Sequence, residues 1–313
     1  MRTLATLGIT LLAGCTGLNN STDSIAEPIN TYYDYQLYSN TGRLLSETEA
    51  SQALSQFDVV LIGEWHTHPG VHLFQTRMLE HLHSENPNTA LSMEQFSRDK
   101  QAIVDQYLNG EIGEQTLISE GDGWPNYESD YRPLIEYAKA QKLDVIAANA
   151  PKPMVRCIGQ KGISWLDTLP SEKRGQVAEE INTADTPYKE KFMASLHHGK
   201  PEDNQNNYAA QVTWDETMAE SITRYLDSNA NSKVVHIAGK FHTEDGLGIA
   251  ASIKNRRPDT SVAVVTPVSE VSSETNDFQL HVLAPPIRYV KKDNRIKAIH
   301  KIMTRKQDNI CSE

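Results

Sequence analysis

Val59-Val60-Leu61-Ile62-Gly63-Glu64-Trp65-His66-Thr67-His68-Pro69-Gly70 is the stretch whose reading decides the fold. Four apolar residues in an unbroken run predict a strand buried on both faces. The run stops at Gly63, and Glu64, His66 and His68 follow at once. Pro69 then stands where a helix can begin, because the N–H it lacks would be unpaired there anyway. A hydrophobic strand that delivers Glu and His just ahead of a helix is how α/β proteins build the rim of a pocket.

Working outward, the same arrangement recurs. Val71, Phe74, Met78, Leu79 and Leu82 repeat at helical spacing after Pro69. Ala90–Met93 is a second strand and runs into Glu94. Leu143–Ala148 is a third, ending at Asn149. Val234–Ala238 is a fourth, ending in Gly239-Lys240-Phe241-His242, and Ser261–Thr266 is a fifth. Tyr32–Tyr38 predicts a leading strand, and Ser46 with Glu49 a capping box that opens a helix. Gln279–Ala284 predicts a last strand at a sheet edge, because Pro285-Pro286 ends it. Between about 151 and 232 only helical patterns occur. The fold class is therefore α/β: a largely parallel sheet covered by helices on both faces, with an α-helical insertion. Such sheets bind ligands at the carboxyl ends of their strands.

The 313 residues carry 41 acidic against 30 basic side chains, a net charge of -11 that argues against general nucleic-acid binding. Arg2, the short apolar run Leu4–Leu12 and Leu12-Ala13-Gly14-Cys15 resemble a lipoprotein signal with its lipobox. That reading gives residues 1–15 as signal and lipidated Cys15, and 16–30 as a polar tether. It gives 31–290 as the folded domain and 291–313 as a charged tail. Thr16, where an Asp would retain the protein in the inner membrane, points to the outer membrane, facing the periplasm. An export compartment permits a bridge between Cys157 and Cys311, and the sequence leaves the pairing open.

Glu64, His66, Glu94 and His242 stand at the ends of separate strands. Two imidazoles and a carboxylate, His66, Glu94 and His242, suit a divalent metal, and all four suit acid–base work. The plainer reading is that each caps a helix or fills a turn. His68 and His72, four apart, read as a solvated helix face, as do His81, His83, His197 and His198. Trp124, Tyr127, Tyr131 and Arg132 crowd one loop-to-helix junction. Tyr208, Gln211, Trp214, Asp215 and Met218 crowd another. Amphipathic aromatics at such spacing are either core or the wall for a flat apolar ligand touched by a tyrosinate, as in tyrosine-ligated haem.

Gly63-Glu64-Trp65-His66, Met93-Glu94-Gln95-Phe96, Tyr131-Arg132-Pro133-Leu134, Asn149-Ala150-Pro151, Gln211–Ala219 and Ala238-Gly239-Lys240-Phe241-His242 occur in that order. Together they resemble the ChaN-like haem-binding, iron-regulated lipoproteins over roughly Phe57 to Pro267. The resemblance implies an outer-membrane lipid anchor and a part in haem uptake, alongside haem transport components. It also implies a homodimer enclosing two stacked haems, each iron bound by a tyrosine, with a His and a Lys of the partner chain meeting the propionates. Tyr131, Tyr208 and Tyr188 are the candidate iron ligands, with Arg132 and Trp214 beside the ligand. Where the family pattern shows a second Gly near its last motif, this chain has Lys240-Phe241. The same motifs are distantly similar to Tiki-type peptidases and erythromycin esterases. There Glu64 or Glu94 would activate water, held with or without a metal by His66 and His242.

Overall fold

The structure is a computed structural model that describes residues 28–196, 200–303 and 311. Cys15, the tether up to residue 27, His197 and His198 lie outside the described residues. Eight strands form one sheet: β1 (Gln36–Tyr38), β2 (Leu44–Leu45), β3 (Val59–Glu64), β4 (Thr89–Ser97), β5 (Val145–Asn149), β6 (Lys233–Gly239), β7 (Val262–Val268) and β8 (Phe278–His281). Their order across the sheet is β2-β1-β8-β7-β3-β6-β4-β5. Neighbours from β8 to β5 run parallel, and β1 joins β8 and β2 antiparallel.

The apolar run Val59–Ile62 in β3 lies at the centre, between β7 and β6. Its side chains alternate between two cores. Val60 and Ile62 pack with Phe74, Met78, Leu134 and Ile135 on one face. Val59 and Leu61 pack with Met218, Ile222, Leu226, Ile249 and Ile253 on the other. An interior strand needs apolar residues at every position for this reason, and period-2 alternation disappears. Truncating Leu61, fully buried, to Ala is expected to cost about 2–5 kcal/mol.

The first face is covered by the helices Glu47–Leu54, Pro69–Glu85, Gln101–Leu108 and Arg132–Gln141, the second by Pro201–Ser228 and Ile249–Arg256. Ser46 caps the first helix through Glu49 N–H, and Glu49 accepts from Ser46 N–H, closing the capping box. His68 caps Pro69–Glu85 and is buried, so it is no solvated face. From β5 to β6 the described chain is helical, and its long last helix packs on the sheet as the crossover to β6. A disulfide joins Cys157 to Cys311, with Cα atoms 5.4 Å apart.

Two expectations need correction. β8 is an interior strand, held by β7 and β1, because Pro285 and Pro286 lie beyond its paired residues and remove no ladder donor. The edges are β2 and, at the parallel end, β5. Along β5 the Gln101 side chain donates to Val145 O and accepts from Ala147 N–H, both at 2.8 Å, standing in for a ninth strand. The second correction is the tail: Lys292–Met303 forms a helix where the sequence showed no pattern.

Candidate functional site

Parallel pairing of β3, β6, β4 and β5 brings their carboxyl ends to one edge. There Glu64, Glu94, Asn149 and Gly239 stand together, with His66 and His242 just beyond. β4 shifts register after Met93, and this bulge lets Glu94 and Gln95 both serve the edge.

Glu64 is the centre of a closed polar cluster. Tyr131 donates to its Oε1 at 2.7 Å, and Gln95 Nε2 does so at 3.1 Å. Gln75 Nε2 donates to Oε2 at 2.8 Å, and His66 Nδ1 lies 2.7 Å from Oε1. A π-helical turn at Tyr127–Tyr131 aims the Tyr131 phenol inward. Burial pushes the Glu64 carboxyl up, but the His66 hydrogen bond and the nearby imidazoles of His72 and His66 hold it below its ordinary value. Four donors already meet this fully buried carboxylate. It fixes the tautomer of His66: Nδ1 carries the proton and Nε2 the lone pair.

His66 is 45% exposed at its side chain. Its ring meets Trp124 edge-on, with centroids 5.0 Å apart, and lies against Gly239. A Cβ at Gly239 would stand 2.9 Å from His66 Nε2, so only glycine leaves room for the imidazole. Burial lowers the His66 pKa, and Glu64 and Glu94 more than offset that, leaving it raised.

His242 forms the second half. Its Nδ1 lies 2.8 Å from Asp215 Oδ1, and its Nε2 is 3.8 Å from Glu94 Oε1. Glu94 Oε2 accepts from Gly239 N–H at 2.6 Å. Burial alone would strip the His242 proton, but Asp215 and Glu94 push its pKa up to about 9. At neutral pH His242 is therefore a cation, able to give a proton rather than take one. His236, deep in β6, goes the other way: burial lowers it to about 3, and it is a neutral core residue bonded to Ser92.

The expected metal set of His66, Glu94 and His242 does come together near Gly239, each member hydrogen-bonded outside the set: His66 to Glu64, Glu94 to Gly239 N–H and His242 to Asp215. Among the described residues no group of three or more His, Cys, Asp or Glu side chains is arranged to hold a metal ion. The tyrosines expected to ligate iron are all inside. Tyr131 serves Glu64, Tyr188 donates to Asp215 at 2.8 Å, and Tyr208 lies 3.5 Å from Thr186 Oγ1. Burial raises the pKa of all three phenols. Arg132 is turned to Glu114 and Glu128 at the surface, and Trp214 meets His242 edge-on.

Two clefts open on this edge. One, of about 1370 Å³, is lined by Glu94, Trp124, Asn149, Lys152, Trp165 and the Cys157–Cys311 bridge. The other, of about 770 Å³, exposes His66 between Trp65, Phe241 and Pro69, with Tyr32, Lys240 and Arg288 at its walls. The second combines apolar walls, a half-exposed imidazole braced by a carboxylate, and the cations Lys240 and Arg288. Arg288 makes no ion pair among the described residues, and Lys240 meets Glu244 at 3.2 Å. Tyr32 is the tyrosine on that cleft, its hydroxyl donating to Ala284 O at 3.2 Å.

Sequence reasoning missed Tyr32, Trp65, Lys240 and Arg288 as cleft residues, and Gln75, Gln95 and His72 as partners in the Glu64 cluster. The dipeptide Glu94-Gln95 was the one visible signal, since polar residues inside a strand need buried partners.

The fold is shared with ChaN of Campylobacter jejuni, solved in a study of cofacial haem binding. It matches at a TM-score of 0.62 and 20% identity over 82% of this chain and 100% of that one. An erythromycin esterase, EreC, matches at 0.44 and 13% identity over 85% of this chain and 87% of that one. The curated chloroplast protein RETICULATA-RELATED 5 of Arabidopsis thaliana is 26% identical over 187 residues, 56% of this chain. This chain spans about a quarter (25%) of that protein's length. Residues 50–253 match the family described as haem-binding uptake, Tiki superfamily, ChaN, and the chain belongs to it.

Proposed function

We propose that this protein binds haem in the His66 cleft, as a lipid-anchored component of haem or iron acquisition. The observation that carries the reading is the His66 imidazole, held by buried Glu64 through Nδ1 and 45% exposed in a cleft with apolar walls. Haem would supply an iron that takes an axial nitrogen or oxygen ligand. His66 is the ligand from this chain, Trp65 and Phe241 flank the macrocycle, and Lys240 and Arg288 meet carboxylates. The cofacial haems of the Campylobacter jejuni relative support a homodimer in which two such clefts face each other. The lipobox at Cys15 supports the anchor, and palmitate labelling of growing cells is expected to disappear in Cys15→Ser.

The test is a titration of the purified protein with haemin, read in the Soret band. A saturable red shift is expected, weakened at least about tenfold in His66→Ala. Absence of a saturable shift overturns the reading.

A further inference from the structure

The segment after β8 is unlike the rest of the molecule. From Ala284 to Lys301 every described side chain is exposed except the half-buried Ala298. Large apolar residues stand in that run: Ile287 (82% exposed), Val290 (90%), Tyr289, Ile296 and Ile299. A twelve-residue helix, Lys292–Met303, is marginal in water without a surface to pack on. Ile296 and Ile299 share one of its faces, since residues three apart are neighbours. Interleaved with them are Arg288, Lys291, Lys292, Arg295, Lys297 and Lys301 against the single acid Asp293. That is a formal +5 within a chain of net -11, so the remainder carries -16.

The other end of the described chain emerges beside this segment. Tyr32, four residues after the described chain begins, donates to Ala284 O at 3.2 Å. Tyr32 and Tyr33 are exposed there. The tether to Cys15 therefore starts from the same side of the molecule as the basic segment.

We infer that residues 287–303 form a docking surface for an anionic phospholipid bilayer. Ile287, Val290, Ile296 and Ile299 enter the boundary between headgroups and acyl chains, Tyr289 sits at headgroup level, and the cations meet phosphates. A basic amphipathic segment on the same side adds an electrostatic attachment to the lipid anchor proposed at Cys15. The acidic remainder is repelled by the same surface, which fixes the orientation. A second copy seated on the helix Lys292–Met303 itself is disfavoured as occupant, because a two-fold axis through that helix would press its cations against their own copies. The inference stands apart from the haem reading.

Flotation of the full chain with vesicles tests it, using phosphatidylcholine alone or phosphatidylcholine with phosphatidylglycerol. At least about tenfold more protein is expected on the anionic vesicles, and high salt should release it. The triple variant Lys292→Glu, Lys297→Glu, Lys301→Glu should lose that preference, and Ile296→Ser with Ile299→Ser should bind less to both. Both variants should keep the wild-type melting curve and haemin titration. Equal partition of the wild type onto neutral and anionic vesicles overturns the proposal, as does undiminished binding by the triple variant. A lipid-free dimer that Ile296→Ser with Ile299→Ser converts to monomer makes the segment a subunit interface and also overturns it.

Discussion

His242 holds its proton because two buried carboxylates, Asp215 and Glu94, face it. The folded pKa of about 9 lies above the ordinary 6.5, so the charge contributes stability that is fully present below pH 6.5. The contribution is lost as pH rises through 9, and its size is on the order of 3 kcal/mol. Urea unfolding should show wild type losing stability between neutral pH and about pH 10, and Asp215→Asn losing much less over that range because its His242 is already neutral. A flat wild-type profile would contradict the assignment. Gly239 makes a second prediction: Gly239→Ala drives a methyl into His66, so a loss of about 1–3 kcal/mol is expected together with weaker haemin binding. Residue identities at strand ends were legible because ionisable groups after apolar runs are conspicuous. The amides Gln75 and Gln95 were not, because a glutamine reads alike on a surface and against a buried carboxylate.

Among the elements, the interior strands were legible for the reason β3 illustrates: burial on both faces forces unbroken apolar runs. β1 and β2, three and two residues long, carry no such run. β8 was placed at an edge by its prolines, although these fall outside its ladder. The edges are β2 and β5, and β5 is protected by one side chain. Gln101→Ala is therefore expected to cost about 1–2 kcal/mol in urea unfolding and to raise light scattering of concentrated solutions, since two ladder groups are exposed. Stability and scattering like wild type would show that another element covers the edge. No periodicity could reveal a protecting glutamine, because its role depends on a strand 44 residues away.

At the scale of the molecule, family motifs gave the sheet its kinship, and the disulfide closes a separation of 154 residues. A loop of that length constrains the unfolded chain strongly, and bridges typically contribute about 2–4 kcal/mol. Here the exposed segment before Cys311 is also released when the bridge is cut, so the folded state gains freedom too. Cys157→Ser is accordingly expected to lower stability by less than about 2 kcal/mol in urea unfolding. The pairing was open in the sequence because it depends on where an exposed tail returns. The buried positions of Tyr131, Tyr188 and Tyr208 were not legible for a related reason: tyrosines at helical spacing look alike whether they wall a cleft or brace a buried acid. His66 must be neutral at Nε2 to bind iron, so haem affinity should rise with pH through a midpoint above the ordinary 6.5.

The visible and resonance Raman spectra of the ferric-haem complex test the central claim most directly, because they report the axial ligand. The imidazole signature of wild type should vanish in His66→Ala and persist in Tyr131→Phe, Tyr188→Phe and Tyr208→Phe. A phenolate signature in wild type that is lost in one of those three tyrosine variants and kept in His66→Ala would contradict it.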